Sequence, residues 1–314
     1  MQKPIYCAQR AKLEMNLANH LKQFKEILSN STKTYVLDTE LIFCHVLNKD
    51  RGWLIAHDDY ILSADEITHI KKLVAQRNKD EPLAYIFGVK EFYGREFIVN
   101  KNVLVPRPET EDMVELAHEL IAQSIESGAL SIEKSDTNAE NQEPRTKNYS
   151  LRTKIQDLRS IIDIGTGSGA IAISVKLAHP AINVIGIDNS KPALAIAAQN
   201  ALKHGASIVF KEQDLLINDK DHYDIILANL PYVPTNIEAD KSITHEPPVA
   251  LFSGTDGLDH YRRLFDQLKH RIPSYVLTES LISQHKDLEK IAKIAGYKID
   301  QTRGLIQVFI KTLC

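Results

Sequence analysis

The sequence has few cysteines, and they are far apart in the chain. Cys7, Cys44 and Cys314 form no CxxC pair and have no spacing typical of zinc ligands. A sparse, odd set of cysteines argues against a disulfide scaffold and fits a reducing cytosol. We therefore expect a cytoplasmic protein without a structural metal.

The sequence also lacks long apolar runs and a large charge of one sign. No segment is apolar for the roughly 20 residues that a membrane helix needs, and residues 1–12 lack the apolar stretch of a signal peptide. The formal net charge is only -3, so no strongly basic field is available to hold nucleic acid through its phosphates. We expect neither a membrane partner nor direct binding of nucleic acid.

Residues 1–80 have the pattern of a small helical domain. Apolar residues recur at three- and four-residue steps in Leu13–Leu28, and similar patterns follow in Leu37–Leu47 and after Asp65. This spacing places apolar side chains on one face of a helix. The region has no glycine-rich loop and no cluster of ligand residues, so we interpret it as a folding or docking domain.

Residues 81–122 predict a hairpin and a connecting helix. Glu91–Val99 holds aromatic and β-branched residues around a glycine, which is typical of a hairpin. Val103–Pro108 is expected to be extended, because a residue before proline avoids the α region. Pro108 suits the first position of a helix, which we expect to end near Ala122.

Residues 123–158 interrupt this pattern. The stretch Ser135–Ser150 is rich in polar residues and has few apolar ones. Because little there could offset the entropy lost on ordering, we predict a mobile insertion.

Residues 159–314 alternate strands with helices, which predicts an α/β domain with a doubly wound parallel sheet. The predicted strands are Ile161–Ile164, Val184–Ile187, Ile208–Lys211, Tyr223–Ala228, Tyr275–Thr278, Tyr297–Asp300 and Leu305–Ile310, and the predicted helices are Ser168–Ala178, Lys191–His204 and Leu281–Ala295. The last two strands lie close together in sequence, which indicates an antiparallel hairpin at one edge of the sheet.

A glycine-rich loop, Asp163–Gly169, follows the first of these strands and opens a helix. Glycines let the backbone turn sharply and approach a ligand, and ligands of open α/β sheets bind at the carboxyl ends of strands. The candidate cofactor contacts are Gly165, Thr166, Gly167, Ser168 and Gly169. Proteins that bind NAD, FAD and S-adenosylmethionine all use such loops, so the loop alone does not choose between them.

Two aspartates follow later strands at the same edge. Asp188 ends the second strand, where a carboxylate accepts hydrogen bonds from both ribose hydroxyls of a nucleoside ligand. It could instead cap the helix that begins after Ser190, and the loop upstream makes us favour the ligand. Asp214 follows the third strand and could hold an adenine amine or simply form a turn.

The tetrapeptide Asn229–Tyr232 ends the fourth strand. The Asn229 side chain and the carbonyl of Leu230 could accept hydrogen bonds from the two hydrogens of a substrate NH2 group. Pro231 stiffens the loop, and Tyr232 offers an aromatic face to a planar group. Asn and Pro are also common in plain turns. The functional interpretation of the tetrapeptide therefore depends on the glycine-rich loop and Asp188 upstream.

These features together predict methyl transfer to a planar NH2 group. The nitrogen of an amide or aromatic amine is a poor nucleophile because its lone pair is delocalised. Two acceptors on its hydrogens favour pyramidalisation and aim the lone pair at a methyl sulfonium. No metal is required, and His204, His222 and His245 are isolated from other ligand residues.

Several motifs in fixed order resemble those of the release factor glutamine methyltransferases. The motifs are Glu81–Gly88, Phe92–Arg95, Pro106–Glu111, Asp163–Gly169, Asn229–Tyr232 and His245–Leu251. The resemblance runs from about Glu81 to the C-terminus, apart from the insertion, and the helical start also fits.

This resemblance implies an S-adenosylmethionine-dependent enzyme that methylates the glutamine of the Gly-Gly-Gln motif in peptide chain release factors and so modulates translation termination. It implies a Rossmann-like, seven-stranded sheet with the last strand antiparallel, and an N-terminal helical domain that docks the release factor. The glycine loop, Asp188, Leu215 after Asp214, and Asn229 would bind the cofactor. Asn229, Leu230, Pro231 and Tyr232 would hold the glutamine amide and carry the reaction.

The sequence departs from the family pattern in three places. Leu230 replaces the first proline of the usual Asn-Pro-Pro-Tyr, but it keeps the carbonyl that the chemistry requires. Leu215 stands where some members carry an aromatic that packs on adenine. Thr278–Ser280 replaces the usual stretch after the fifth strand, which puts nothing catalytic in doubt.

Other classes of protein share some of these features. Asn-Leu-Pro-Tyr also resembles the motif of ribosomal RNA adenine dimethyltransferases, and a sister family methylates glutamine in a large-subunit ribosomal protein. Pro106–Glu111 favours release factors over both. An NAD-dependent oxidoreductase would leave Asn229–Tyr232 without a role, and a non-catalytic protein would bind cofactor without turnover.

Overall fold

The computed structural model describes residues 15–135, 158–237 and 241–312. Contacts divide the chain into two compact units, Met1–Phe87 and Gly88–Cys314. No helix in the part of the chain that the structure describes has both the length and the apolarity needed to cross a membrane.

The first unit is helical. Its helices are α1 (Leu17–Leu28), α2 (Tyr35–Leu47), α3 (Arg51–Ala56), α4 (Ala64–Arg77) and α5 (Leu83–Phe87). Ser63 and Glu66 form a reciprocal capping box that fixes the start of α4. The apolar faces of the longer helices meet in one core that includes Leu28 and Phe43. The three predicted helices are confirmed, whereas the short helices α3 and α5 were not predicted.

The second unit begins with the predicted hairpin. Strands β1 (Val89–Phe92) and β2 (Arg95–Ile98) pair antiparallel. Tyr93 and Gly94 connect them, with φ angles of 50° and 71°. Two consecutive positive φ angles are the geometry of the tight turns that match the twist of a hairpin.

The connecting helix is longer than predicted. A 3-10 helix, Pro108–Thr110, leads into α6 (Glu111–Ser135), so the expected end near Ala122 is wrong. The segment after Ala122 contains no proline, and Ser124 is fully buried and accepts a hydrogen bond from the Leu158 amide. The first part of the predicted insertion, residues 123–135, is therefore helical, and residues 136–157 lie outside the described residues.

The main sheet has seven strands in the order β5-β4-β3-β6-β7-β9-β8. The strands are β3 (Ser160–Ile164), β4 (Asn183–Asp188), β5 (Val209–Glu212), β6 (Ile225–Ala228), β7 (Tyr275–Glu279), β8 (Tyr297–Arg303) and β9 (Ile306–Lys311). β3 to β7 pair in parallel, and β9 is antiparallel to both of its neighbours. The doubly wound sheet with its antiparallel last strand and edge hairpin is confirmed.

Helices connect these strands. They are α7 (Ala170–Ala178), α8 (Lys191–His204), α9 (Asp259–Leu268) and α10 (His285–Ile294), with short 3-10 helices at Lys241–His245, Pro248–Ala250 and Ile282–Gln284. The buried residues form two clusters, which include Ile161 and Val184 in one and Ile162 and Ile185 in the other. Because successive residues of a strand point to opposite faces, the sheet is buried on both sides.

The strand order reverses between β3 and β6. β4 and β6 flank β3, with Ile164 opposite Ile187 on one side and Ala228 on the other. The loops that leave these strands diverge at their carboxyl ends and open a crevice, which is where open α/β sheets bind ligands.

Candidate active site

A cavity opens at the carboxyl ends of β3 to β6. Its volume, with the part that is continuous with solvent, is about 760 Å³. The cavity brings together eight of the predicted site residues: Gly165, Gly167, Asp188, Asp214, Leu215, Asn229, Leu230 and Pro231. Thr166, Ser168, Gly169 and Tyr232 do not line it and lie behind its walls.

The glycine loop wraps closely around the end of β4. The amides of Gly165 and Thr166 both donate to the Ile187 carbonyl, at 2.8 and 2.9 Å. Gly165, Gly167 and Gly169 have φ angles of 72°, 54° and 79°, which favour glycine over residues with a Cβ. At Gly169 an added Cβ would also crowd Ile173, so this glycine lets α7 pack closely.

Ser168 and Thr166 form hydrogen bonds that tie the loop to the rest of the protein. The Ser168 carbonyl accepts a hydrogen bond from Asn200 Nδ2 at 2.9 Å. The Thr166 hydroxyl donates to Asp163 Oδ2 at 2.6 Å. Both predicted contacts therefore shape the loop through interactions on its protein side.

Asp163 lies fully buried at the start of this loop. Its Oδ2 accepts from the Thr166 hydroxyl and the Ala172 amide, whereas Oδ1 has no partner among the described residues. Burial raises the pKa of this carboxyl to about 7, more than the two hydrogen bonds lower it. The ionised form of Asp163 therefore lowers the stability of the folded protein at neutral pH.

We expect Asp163→Asn to change how stability depends on pH. With a folded pKa near 7 and an ordinary unfolded value, the native protein binds an extra proton between about pH 4 and 7. The stabilisation that comes from protonated Asp163 is complete below the unfolded pKa and is lost as the pH rises through about 7. The unfolding free energy of the wild type minus that of Asp163→Asn should fall by a few kcal/mol from about pH 4 to about pH 7.

Urea unfolding of both proteins at stepped pH measures this difference. A difference that stays constant across the whole range would show that Asp163 does not titrate there. Asparagine retains an oxygen that can accept from the Thr166 hydroxyl, so the wild type and the variant both keep this hydrogen bond in the loop.

Asp188 accepts hydrogen bonds from two backbone amides and also faces the cavity. Its Oδ2 accepts from the Gly167 amide and its Oδ1 from the Ser190 amide, both at 2.9 Å, and the side chain lines the cavity. Burial raises the pKa of Asp188, and backbone hydrogen bonds offset part of that effect. Each carboxylate oxygen has further acceptor capacity, so the group can hold the loop and accept ribose hydroxyls together.

Asp214 and Leu215 form the wall near the end of β5. Asp214 Oδ2 pairs with Arg263 Nη2 at 2.5 Å, and both side chains are partly exposed. Leu215 is buried and has a φ of 50°. Its position in the cavity wall agrees with an apolar contact to a planar base, while the ion pair of Asp214 was not predicted.

Three residues of the tetrapeptide Asn229–Tyr232 form hydrogen bonds with partners outside it. Asn229 Nδ2 donates to Thr110 Oγ1 at 3.1 Å. The Leu230 amide donates to the Tyr261 hydroxyl at 3.3 Å. The Tyr232 hydroxyl donates to Glu279 Oε1 at 3.0 Å. These contacts fix the tetrapeptide relative to α9, β7 and the start of α6.

The sequence reasoning missed four of these supporting residues. They are Thr110, Tyr261, Glu279 and Gln284, whose Nε2 donates to the Tyr232 carbonyl at 2.8 Å. Glu279 ends β7 at the same edge as Asp188, so the strand-end rule that found the aspartate would also have found it. Burial raises the pKa of Glu279 more than hydrogen bonds from Thr110, Tyr232 and Asn229 lower it.

Glu246 joins two of the recognised motifs. Its buried Oε2 accepts from the Val105 amide at 3.0 Å, and its Oε1 accepts from Arg107 Nη2 at 2.5 Å. The motif at His245–Leu251 therefore holds the extended segment of Pro106–Glu111 in place. This is a structural reason for the two motifs to occur together.

A tight turn at Gly257 supports Tyr232 from behind. Gly257 has a φ of 82°, and an added Cβ would overlap the Tyr232 carbonyl oxygen and Gln284 Nε2. We expect Gly257→Ala to lower the unfolding free energy by about 2–4 kcal/mol, from left-handed backbone strain and overpacking. Urea unfolding at neutral pH measures this loss.

Gly205→Ala is the matched control for that variant. Gly205 has a φ of 68°, but nothing lies within 4 Å of an added Cβ. Only the backbone strain of about 1 kcal/mol should remain. Equal losses in the two variants would contradict a steric role for the contact between Gly257 and Tyr232.

No cluster of three or more His, Cys, Asp or Glu side chains suited to a metal ion occurs among residues 15–135, 158–237 and 241–312. His204 Nε2 lies 2.9 Å from the Glu96 carbonyl oxygen, and His222 lies 3.6 Å from Asp224. Neither lines the cavity.

Comparisons with known proteins cover both units. Residues 19–88 match the family described as PrmC N-terminal domain, and residues 149–247 match the methyltransferase small domain. A release factor glutamine methyltransferase of Xylella fastidiosa is 35% identical, covering 73% of each chain, and one of Bacillus subtilis is 34% identical, covering 73% of this chain and 72% of its own.

Longer relatives and solved structures are also similar. A bifunctional methyltransferase of Rickettsia felis is 32% identical over 84% of this chain but only 51% of its own, so this chain spans about half the length of such relatives. The catalytic domain of hMettl16 has a TM-score of 0.48 and 16% identity, with 76% of this chain and 81% of that chain covered.

Proposed function

The chain belongs to the release factor glutamine methyltransferase family, and from that premise we propose that it transfers a methyl group from S-adenosylmethionine to the side-chain amide of the glutamine in the Gly-Gly-Gln motif of peptide chain release factors. One observation carries the proposal. The glycine loop, Asp188 and the acceptors of Asn229–Tyr232 face one cavity at the point where the strand order reverses.

The residues of the cavity fit the cofactor. Asp188 presents a carboxylate for ribose hydroxyls, and Leu215 presents an apolar surface for the adenine ring. Gly165 and Gly167 allow the backbone to approach the amino acid part of the ligand. When bound, S-adenosylmethionine supplies an electrophilic methyl group on a sulfonium.

The tetrapeptide fits an amide nitrogen. Asn229 Oδ1 and the Leu230 carbonyl oxygen are acceptors for the two hydrogens of the NH2 group, which keeps the nitrogen lone pair free for in-line attack. As positive charge develops on that nitrogen, the two acceptors stabilise it. Burial and the neighbouring Glu279 raise the pKa of Tyr232, so its hydroxyl stays protonated and donates to Glu279.

Membership of the family supports proposals for the substrate and the location. The first unit, which contains the match to the PrmC N-terminal domain, is proposed to dock the release factor. Release factors act on ribosomes, so the enzyme is proposed to work in the cytoplasm and to contact protein rather than nucleic acid.

The test is methyl transfer from labelled S-adenosylmethionine to a purified release factor. The matched control is the same release factor with the glutamine of Gly-Gly-Gln replaced by alanine. Ribosomal RNA and large-subunit ribosomal proteins serve as parallel substrates. Label on the glutamine alone supports the proposal, whereas label on RNA or on a ribosomal protein would reject the release factor as substrate.

A further inference from the structure

The proposed chemistry requires Asn229 to point its oxygen at the substrate. The two ends of a carboxamide have nearly the same size and shape, but one accepts hydrogen bonds and the other donates them. If the NH2 end faced the substrate amide, two donors would oppose each other. Something in the protein must therefore set which end of Asn229 faces the cavity.

Thr110 holds the NH2 end. Asn229 Nδ2 donates to Thr110 Oγ1 at 3.1 Å. Thr110 is 3% exposed and ends the 3-10 helix Pro108–Thr110, directly before α6. Its hydroxyl is therefore presented by regular backbone and is shielded from competing water.

The Glu279 carboxyl is the candidate acceptor for the hydrogen of the Thr110 hydroxyl. A hydroxyl both donates and accepts, so it accepts from Asn229 reliably when its own hydrogen has another acceptor. The buried Glu279 Oε2 has no hydrogen-bond partner among the described residues, which leaves it available as that acceptor. Thr110 and Asn229 both lower the pKa of the Glu279 carboxyl against the larger effect of burial, which agrees with a position beside them. Glu279 is 1% exposed, so its carboxyl is shielded from water.

The same carboxyl also holds the aromatic residue of the tetrapeptide. Tyr232 donates its hydroxyl to Glu279 Oε1 at 3.0 Å. Glu279 thus binds Tyr232 through one oxygen and has the other free for Thr110, without lining the cavity itself.

We propose that Thr110 and Glu279 are positioning residues that fix the Asn229 carboxamide with its oxygen toward the substrate NH2 group. This inference rests on the proposed function for its catalytic consequence. The orientation itself is a property of the free protein and is measurable without any substrate.

The proposed order of contacts, from Glu279 through Thr110 to Asn229, is called the relay below. Thr110→Val tests it, because valine keeps the shape of threonine and removes the hydroxyl. We expect kcat for release factor methylation to fall about 10- to 100-fold, while KM for the release factor and Kd for S-adenosylmethionine stay within about threefold. Thr110→Ser should restore most of kcat. Wild-type kcat in Thr110→Val would overturn the inference.

Thr278→Val is the matched control. Thr278 is fully buried on β7 next to Glu279, and its hydroxyl has no partner among the residues described. The same substitution there should leave kcat within about twofold. An equal loss of kcat in Thr278→Val and Thr110→Val would mean that any buried hydroxyl near β7 matters, and would reject a specific relay.

Glu279→Gln examines the second residue of the relay. Glutamine keeps the size of the side chain but adds donors that compete with Thr110 and Asn229. We expect kcat to fall at least 10-fold with Kd for S-adenosylmethionine within about threefold. A kcat equal to that of the wild type would remove Glu279 from the relay.

A spectroscopic readout separates this inference from the proposed function. In protein labelled with 15N-asparagine, the side-chain NH2 signal of Asn229 is identified by its loss in Asn229→Ala. Exchange of these hydrogens with solvent should accelerate at least 10-fold in Thr110→Val and not in Thr278→Val. Inactivity of the wild type on release factors would reject the proposed function, whereas unchanged exchange in Thr110→Val would reject the relay.

Discussion

Replacement of Asn229 by alanine is expected to lower kcat for glutamine methylation by at least a hundredfold. The variant lacks the oxygen that we propose accepts one hydrogen of the substrate NH2 group and stabilises its developing positive charge. Loss of one such preorganised group typically costs about 3–4 kcal/mol of transition-state stabilisation. Because Asn229 is held by Thr110 rather than by the core, the fold should remain intact.

Single-turnover methylation of the release factor with saturating S-adenosylmethionine measures this loss directly, since it excludes product release. Asn102→Ala is the matched control, because Asn102 lines the same cavity without an assigned role in the chemistry. It should retain kcat within a few-fold. Wild-type turnover by Asn229→Ala would remove Asn229 from the mechanism.

Leu230 shows how this chain accommodates its departure from Asn-Pro-Pro-Tyr. A proline at this position has no amide hydrogen and stiffens the loop through its ring. Leucine has an amide, which donates to the Tyr261 hydroxyl at 3.3 Å. Tyr261 is fully buried, and its hydroxyl also lies 3.0 Å from the Ala228 carbonyl oxygen. A hydrogen bond into α9 therefore constrains the loop where the ring of proline is absent, and the Leu230 carbonyl is retained.

The fold was predictable where one local signal decides the structure. The strands of the sheet are short apolar runs between turn residues, and α8 was predicted with its observed bounds because Ser190 precedes it and Gly205 ends it. α9 was missed although its buried residues, Tyr261, Leu264, Phe265 and Leu268, have helical spacing. The end of α6 was wrong because polar composition was given more weight than the absence of a helix-breaking proline.

The site was predictable only in its local parts. The glycine loop, Asp188 and Asn229 each sit directly after a strand, so the sequence predicted their shared edge. Thr110 and Glu279 reach Asn229 from positions far away in sequence. The strand-end rule places Glu279 at the right edge of the sheet, but the bond between Thr110 and Asn229 arises from tertiary packing, which no pattern within one segment signals.

Replacement of Asp188 by alanine is expected to weaken S-adenosylmethionine binding about a hundredfold or more. Charge-assisted hydrogen bonds contribute about 1.5–3 kcal/mol each, and the carboxylate has room for both ribose hydroxyls. The structure adds a second effect, because Asp188 also accepts from the amides of Gly167 and Ser190 and so holds the loop itself. Isothermal titration of the purified chain with S-adenosylmethionine measures the change in Kd.

Asp224→Ala separates ligand binding from loop support. Asp224 Oδ2 also accepts from two backbone amides, those of Arg159 and Ser160, at 2.8 and 2.9 Å. It precedes β6 and therefore lies at the amino end of the sheet, opposite the cavity. Both variants should lose similar unfolding free energy, but only Asp188→Ala should lose affinity. An unchanged Kd in Asp188→Ala would leave that carboxylate with only the capping role, because its bonds to Gly167 and Ser190 would then account for its position.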